Sequence, residues 1–466
     1  MPKRWHLRPH DPAAVASLER TAHVSSIVAG LLVARGVTDP AAVKAFLTGT
    51  LADLRDPETL PGVPEAADRI LVAVRAGRPI AIYGDYDADG MCATAILIGC
   101  LEALDAKPTW YVPSRQEEGY GLNAEALSTL AAQGTSLVVT VDCGITGVAE
   151  ARHARDLGLE LIITDHHNFA ESLPEADVLV HPRLPGTSYP FGGLCGAGVA
   201  FKLAWAIATR ASGASKVTPR LREALLRGIG LAAFGTVTDV MPLVDENRLF
   251  VKHGIENLRL RGGPGMARLL EVTGLAERSR LESEDIAFKL GPRLNAAGRM
   301  ATAANGIELL VTDDIARGTS LADYLHELNA QRETEERSLQ LAAAKQAKEQ
   351  FDTDADAAVV LADRGWHKGV IGIVAGRLAE RWHRPVVMIA RDPLQGGPAT
   401  GSVRSVPGFD VLAAVKACER HLLGCGGHAA AAGLQVADGK IDEFRSAFVA
   451  EVEARLPAAL RRAQIT

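Results

Sequence analysis

Residues 79–104 read PIAIYGDYDADGMCATAILIGCLEAL, and the fold turns on this stretch. Ile80 to Tyr83 is an apolar run of strand length, and Met91 to Leu104 is apolar at helical spacing, so Asp85 to Gly90 form a strand-to-helix loop. That loop carries three carboxylates, Asp85, Asp87 and Asp89. Like charges this close resist joint ionisation unless a cation neutralises them. Two other readings compete. A calcium loop of the D-x-D-x-D-G kind requires a glutamate at its twelfth position, where Ile96 stands, and a helix ahead of it instead of a strand. Helix capping alone uses one aspartate, and three are present.

The same pattern repeats downstream. SLVVTVD ends at Asp142, LELIITD ends at Asp165 with His166 and His167 following, and ADVLVHP supplies a further strand near Val178. Strands alternating with helical segments predict parallel pairing in a doubly wound α/β sheet. In such sheets the ligand crevice lies at the carboxyl ends of the strands, where these acids and imidazoles gather. Carboxylate and imidazole donors without thiolates suit Mn²⁺ or Mg²⁺. Two such ions about 4 Å apart activate a water and stabilise an in-line phosphoryl displacement. Phosphoester hydrolysis is the expected chemistry.

The 466 residues exceed one ordinary core. Four segments are expected: a helical N-terminal part at 1–60, a catalytic α/β domain at 61–310, a connector helix at 311–352 and a smaller α/β domain at 353–466. The connector rests on the charged stretch from Ser320 to Phe351, with Leu321, Leu325, Leu328 and Leu339 as its apolar stripe. No apolar run is long enough to cross a bilayer and the first residues lack a signal-peptide core, so a cytoplasmic location is expected. The six cysteines form no Cys-x-x-Cys pair and read as small buried residues. A formal net charge of −6 excludes a generally basic coat but leaves room for a local basic groove. The Gly196-Ala197-Gly198 segment has Phe201 where a dinucleotide fingerprint has its third glycine, so a tight turn at close packing is expected there. GGHAAAAG (Gly426 to Gly433), taken alone, reads as a turn entering a helix.

DYDADG, VDCGI (141–145), DHH (165–167) and GTVTDVMPL (235–243) resemble, in order and spacing, the four successive motifs of the DHH phosphoesterases. The resemblance implies that Asp85, Asp87, Asp142, His166 and Asp239 ligate two divalent cations, with Asp142 bridging. It also implies that His167 faces the scissile phosphate and that Asp89 and Asp165 support the catalytic set. Asp239 comes from the motif match alone. YVPSRQEEGYGL (111–122), SYPFGGLCGAGVAFKL (188–203), LGPRLNAAGRM (290–300), GSVRSVPGFD (401–410) and GCGGHAAAAG (424–433) are similar to the RecJ branch of that family.

Arg115, Arg293, Arg299 and Arg404 are planar, permanently charged groups suited to bidentate phosphate contact, although any of them would serve equally as a surface ion-pair member. The resemblance implies that Arg293 and Arg299 act at the catalytic site, and that Arg115, Ser402 and Arg404, with Gly426, Gly427 and His428, hold the 5′ phosphate of the substrate. It further implies a 5′ to 3′ exonuclease of single-stranded DNA in repair and recombination, a monomer, partnered by single-strand-binding protein and a helicase. Two departures stand out. Ala81 to Gly84, shortly before Asp85, include no histidine, whereas the pyrophosphatase branch carries one there, which leaves the first metal short of one ligand. An OB-fold, which RecJ proteins usually carry after the associated domain, is not expected in this chain. The rival readings are a DHH phosphodiesterase for short oligonucleotides or cyclic dinucleotides, and a non-catalytic single-strand-binding scaffold.

Overall fold

The computed structural model describes residues 4–5, 11–115, 118–213, 216–352, 355–392, 397–457, 461 and 464–465. They form two compact units, His10–Asn329 and a second made of Ala330–Thr466 with Met1–Pro9.

The sheet of the larger unit has five parallel strands: β1 (Ile80–Tyr83), β2 (Thr109–Tyr111), β3 (Leu137–Val141), β4 (Glu160–Thr164) and β5 (Val178–Val180), in the order β2-β1-β3-β4-β5. Alternate residues point to opposite faces. Ile80, Ile82, Leu137, Val139, Val141 and Ile162 enter one core, with apolar residues of helices Val63–Arg75, Ala88–Glu102 and Gly196–Ser212. Ala81, Tyr83, Val138, Leu161 and Ile163 enter another, with residues of helices Ala124–Ala132 and Val148–Asp156. The doubly wound α/β expectation holds. Strand order reverses between β1 and β3, and a crevice opens where crossovers leave in opposite directions from such a point.

Three helices near the N-terminus, Pro12–Ala22, Ser26–Ala34 and Pro40–Thr48, have a small core of their own around Leu18, Ala29, Leu32 and Val43. Arg4–Trp5 belongs elsewhere. It pairs with Gln464–Ile465 in the second unit. Helix Ile315–Gln350 runs through the division between the units, and its Leu321, Leu325 and Leu328 join the core of the larger one.

The second unit is a mixed sheet of β6 (Val359–Asp363), β7 (Val386–Ala390), β8 (Ala399–Arg404), β9 (Gly424–His428) and β10 (Ala431–Val436), in the order β9-β10-β8-β7-β6. Among the described residues of this sheet, β6 and β7 alone pair in parallel. The reading of GGHAAAAG as a turn entering a helix is corrected: the segment is a β-hairpin. Gly427 adopts φ +141°, and a Cβ there would lie 2.4 Å from the Ala431 carbonyl oxygen, so glycine is what allows the two strands to meet. Gly196–Gly198 is likewise the first turn of a helix and not an isolated tight turn. Five cysteines are buried as expected, while Cys425 is only half-buried. No helix among the described residues is long and apolar enough to cross a membrane.

Candidate metal centre

Asp85 and Asp87 follow β1, Asp142 follows β3, and Asp165, His166 and His167 follow β4, so three neighbouring strands deliver their acids and imidazoles to one edge at the reversal of strand order. Asp239 arrives from outside the sheet, at the end of helix Pro219–Thr238. The atoms that could ligate metal form overlapping groups within 4.8 Å: Asp85, Asp87 and Asp142; Asp142, His166 and His167; and Asp89, His166 and Asp239. Asp142 belongs to two of them. Its φ of +64° turns the chain directly after the buried strand, and its amide donates to the Thr164 carbonyl at 3.0 Å.

The loop after β1 is tied down on every side. Asp87 caps helix Ala88–Glu102 by accepting from the amides of Asp89 (2.9 Å) and Gly90 (3.1 Å). The Ala88 amide donates to Asn295 Oδ1 at 2.9 Å. Gly298, on the same helix as Asn295, lies so close that a Cβ would sit 2.2 Å from the Tyr86 carbonyl oxygen. Asp89 accepts from the amides of Gly196 (2.7 Å) and Ala197 (3.0 Å), at a helix N-terminus that favours negative charge. Gly196 and Gly235 leave room for the acids: a Cβ would fall 2.4 Å from Asp142 Oδ1 at the first and 2.1 Å from Asp89 Oδ1 at the second.

Asp165 is fully engaged. It accepts at Oδ1 from the amides of His166 (2.7 Å) and His167 (3.1 Å), and at Oδ2 from Ile145 (3.0 Å), while its Oδ1 lies 2.8 Å from His167 Nδ1. That same Nδ1 is 2.9 Å from the Tyr120 hydroxyl, which donates to the Asp142 carbonyl at 3.2 Å. His166 is held from behind, its carbonyl accepting from Arg183 at 2.5 Å.

The electrostatics set Asp165 apart from the other buried acids of the cluster. Burial, reinforced by the other carboxylates, pushes Asp85 and Asp142 well above the usual range. The same causes raise Asp239 to about 8 and Asp89 to about 6. Burial and the neighbouring His167 lower His166 to about 3. For Asp165 burial opposes ionisation, but the hydrogen bond and charge of His167 prevail and hold it at about 2. His167 itself rises to about 9, Asp165 outweighing the burial. Asp85 Oδ1, Asp142 Oδ1 and His166 Nε2 are buried without a hydrogen-bond partner among the described residues. Orphaned donor atoms of this kind converging on one point fit a divalent cation with oxygen and imidazole ligands.

The remaining expected residues divide between the units. In the larger one, the Arg115 guanidinium lies 5.0 Å over the Tyr86 ring. Arg293 donates to His326 Nδ1 and the Lys289 carbonyl, and Arg299 acts electrostatically on Tyr86. In the second unit, β8 turns Ser402 and Arg404 to one face, and Arg404 donates to Ser402 Oγ at 2.9 Å. Their partners on one side are Gly433 then Gly426, and Ala431 then His428, and on the other side Met388 and Val386. Helix Lys368–Trp382 approaches that face through Gly372, where a Cβ would be 2.9 Å from both Ser402 Oγ and Arg404 Nη2.

Sequence reasoning missed Asn295, Tyr120 and the Gly196–Ala197 amides. Each lies in a stretch singled out for other reasons, and what they hold is visible only in three dimensions.

The DHH family, N-terminal domain, matches residues 79–229, and the DHHA1 domain matches 355–454. The single-stranded-DNA-specific exonuclease RecJ of Escherichia coli (strain K12) is 36% identical over 96% of this chain and 78% of its own length. This chain belongs to the RecJ family. The RecJ of Bacillus subtilis (strain 168) is 39% identical over 95% of the chain, which spans 54% of that relative. Among solved structures, Thermus thermophilus RecJ in complex with Mn²⁺ superimposes with a TM-score of 0.83 at 34% identity, covering 99% of this chain and 64% of its own. An exonuclease RecJ bound to manganese gives 0.74 at 37% identity, over 88% of this chain and 98% of that one. A Mg²⁺ complex of the Thermus protein gives 0.76. The RecJ relatives thus bind the two metals that the donor set favours.

Proposed function

We propose that this chain is a 5′ to 3′ exonuclease that hydrolyses single-stranded DNA to 5′ mononucleotides, working in the cytoplasm in repair and recombination. The convergence of buried Asp85, Asp142 and His166 atoms, without partners among the described residues, beside Asp87 and Asp239 carries this reading. Those five residues would hold two divalent cations, Mn²⁺ or Mg²⁺, with Asp142 shared between them. When bound, the ions neutralise the clustered carboxylates, acidify a water and offset the charge that grows on the phosphoryl oxygens.

The chain's own residues do the rest. Asp89 and Asp165, saturated by backbone amides, fix the two loops. His167, held cationic by Asp165 through Nδ1, keeps Nε2–H to donate to a phosphate oxygen. Arg293 and Arg299 stand on the helix that clamps the DYDADG loop. In the second unit, Ser402 and Arg404 offer a hydroxyl and a guanidinium on the face they share with Gly426 and His428, Gly427 lying between these two on the same strand, a composition suited to a terminal phosphate. In the larger unit, Arg115, whose guanidinium lies over the Tyr86 ring, is a further cation suited to phosphate contact.

The test compares 5′-end-labelled and 3′-end-labelled single strands, a blunt duplex and a dinucleotide with Mn²⁺ present. Early release of label as mononucleotide from the 5′-labelled single strand is expected. Preference for the dinucleotide would transfer the chain to short-oligonucleotide hydrolysis. An intact single strand, unaffected by Asp142→Ala, would leave a binding scaffold.

A further inference from the structure

Helix Pro219–Thr238 ends in a two-bond cap: the Val240 amide donates to the Val237 carbonyl at 3.2 Å and the Met241 amide to the Thr236 carbonyl at 3.1 Å. The residue at the turn of such a cap is left-handed and ordinarily glycine. Here Val240 occupies it, at φ +56°. A β-branched side chain is the kind least suited to that conformation. Burial does not explain the choice, because Val240 is 86% exposed.

Its position does. Val240 directly follows Asp239, whose Oδ2 is 3.6 Å from His166 Nε2. Consecutive Cα atoms are about 3.8 Å apart, so Val240 is anchored one residue from a candidate ligand of the metal cluster. A second exposed apolar group belongs to an element packed on the same helix end. The π-helical turn Ile286–Leu290 leads into Gly291, where a Cβ would lie 2.6 Å from Thr238 Cγ2, and it carries Phe288, 78% exposed. Such π turns are uncommon and concentrate at functional sites.

We propose that Val240, with Phe288 on the adjoining turn, forms an apolar rest for the nucleoside next to the scissile phosphate. The proposal rests on the exonuclease reading and names the part of the substrate that this rim receives. A phosphodiester held at Asp239 carries a nucleoside on either side, and Val240 is the chain neighbour of that ligand. The contact is to sugar carbons or a base face and involves no hydrogen bond, so it does not distinguish one base from another.

Val240→Gly, Val240→Leu and Phe288→Ser would be compared with the wild type, with Mn²⁺, on a single-stranded oligodeoxynucleotide and on methyl p-nitrophenyl phosphate, a diester without nucleosides. Val240→Gly relieves the left-handed valine, so its Tm should be no lower than that of the wild type. Its KM for the oligonucleotide should rise by about tenfold, the loss of a small apolar contact. Phe288→Ser should raise KM in the same direction. Turnover of the small diester should be unchanged in both, and Val240→Leu should keep the wild-type KM. A wild-type KM in Val240→Gly, or equal losses on both substrates, would overturn the proposal while leaving the exonuclease reading intact. A wild type that cleaves the small diester but leaves the oligonucleotide whole would remove both.

Discussion

His166 Nε2 lies 3.0 Å from Asp142 Oδ1, both atoms are buried, and neither has a hydrogen-bond partner among the described residues. An imidazole nitrogen and a carboxyl oxygen facing one another in this way suit a shared divalent cation. Asp142→Asn keeps the shape and removes one of the crowded charges. The metal-free variant should therefore be at least as stable as the wild type. It should lose the rise in Tm that Mn²⁺ gives the wild type, where saturating metal at 100 times its Kd contributes about 2.7 kcal/mol. Thermal unfolding with EDTA and with Mn²⁺ measures both. An unchanged metal response would remove Asp142 from the ligand set.

The raised pKa values set a pH dependence for the metal-free protein. Asp239 moves up to about 8 and His167 to about 9, so the folded state holds protons more tightly than the unfolded chain at both. Stability from such groups is full below the unfolded pKa and is lost as pH rises through the folded one. His166, lowered to about 3, acts oppositely, but only below its ordinary 6.5. Between about pH 6.5 and 8 the Tm in EDTA should consequently fall as pH rises. Mn²⁺ binds the ionised carboxylates and should flatten or reverse that slope. A Tm in EDTA that rises across this window would contradict the assignment.

Asn295 reaches the catalytic loop from a distant helix to accept from the Ala88 amide. Asn295→Ala should cost about 1–3 kcal/mol by leaving a buried donor unsatisfied. It should also weaken Mn²⁺ binding, because Asp85 and Asp87 lose their fixed spacing. Chemical denaturation and metal titration separate the two effects, and unchanged metal affinity would make Asn295 merely structural.

Gly235 and Gly196 have no room for a side chain against Asp89 and Asp142. Alanine at either position should destabilise the protein by about 1–3 kcal/mol through overpacking and displace a carboxylate of the cluster. The expected result is a lost Mn²⁺ response with a folded circular dichroism spectrum. A fully active Gly235→Ala would show that helix Pro219–Thr238 can retreat.

Arg404 and Ser402 share one face of β8. Arg404→Ala should weaken binding of 5′-phosphorylated strands by about 1.5–3 kcal/mol, the range for hydrogen bonds to charged groups, and affect 5′-hydroxyl strands much less. Competition binding with the two ends decides it, and equal losses would place Arg404 outside terminal-phosphate recognition.

The sequence by itself determined the parallel sheet and the acidic strand ends. Apolar runs of strand length followed by helical spacing leave few ways to bury both faces, and acids directly after such runs must emerge at one edge. Asp85, Asp142 and His166 were legible for that reason, while Asp239 was reached only through the motif series, because one aspartate after a helix has no periodicity to mark it. Tertiary structure alone decided which carboxylates are satisfied and which are left bare. Asp89 and Asp165 resemble the ligands in sequence, yet backbone amides from Gly196, Ala197, Ile145 and His167 engage them, and those donors come from segments up to about a hundred residues away. The hairpin at Gly424–Val436 was misread for a related reason: small residues are compatible with helix or strand, and pairing with β8 settles the matter. Only the fold, too, sets a valine in a glycine's conformation beside Asp239, since neither the cap nor its exposure leaves a periodic trace in the chain.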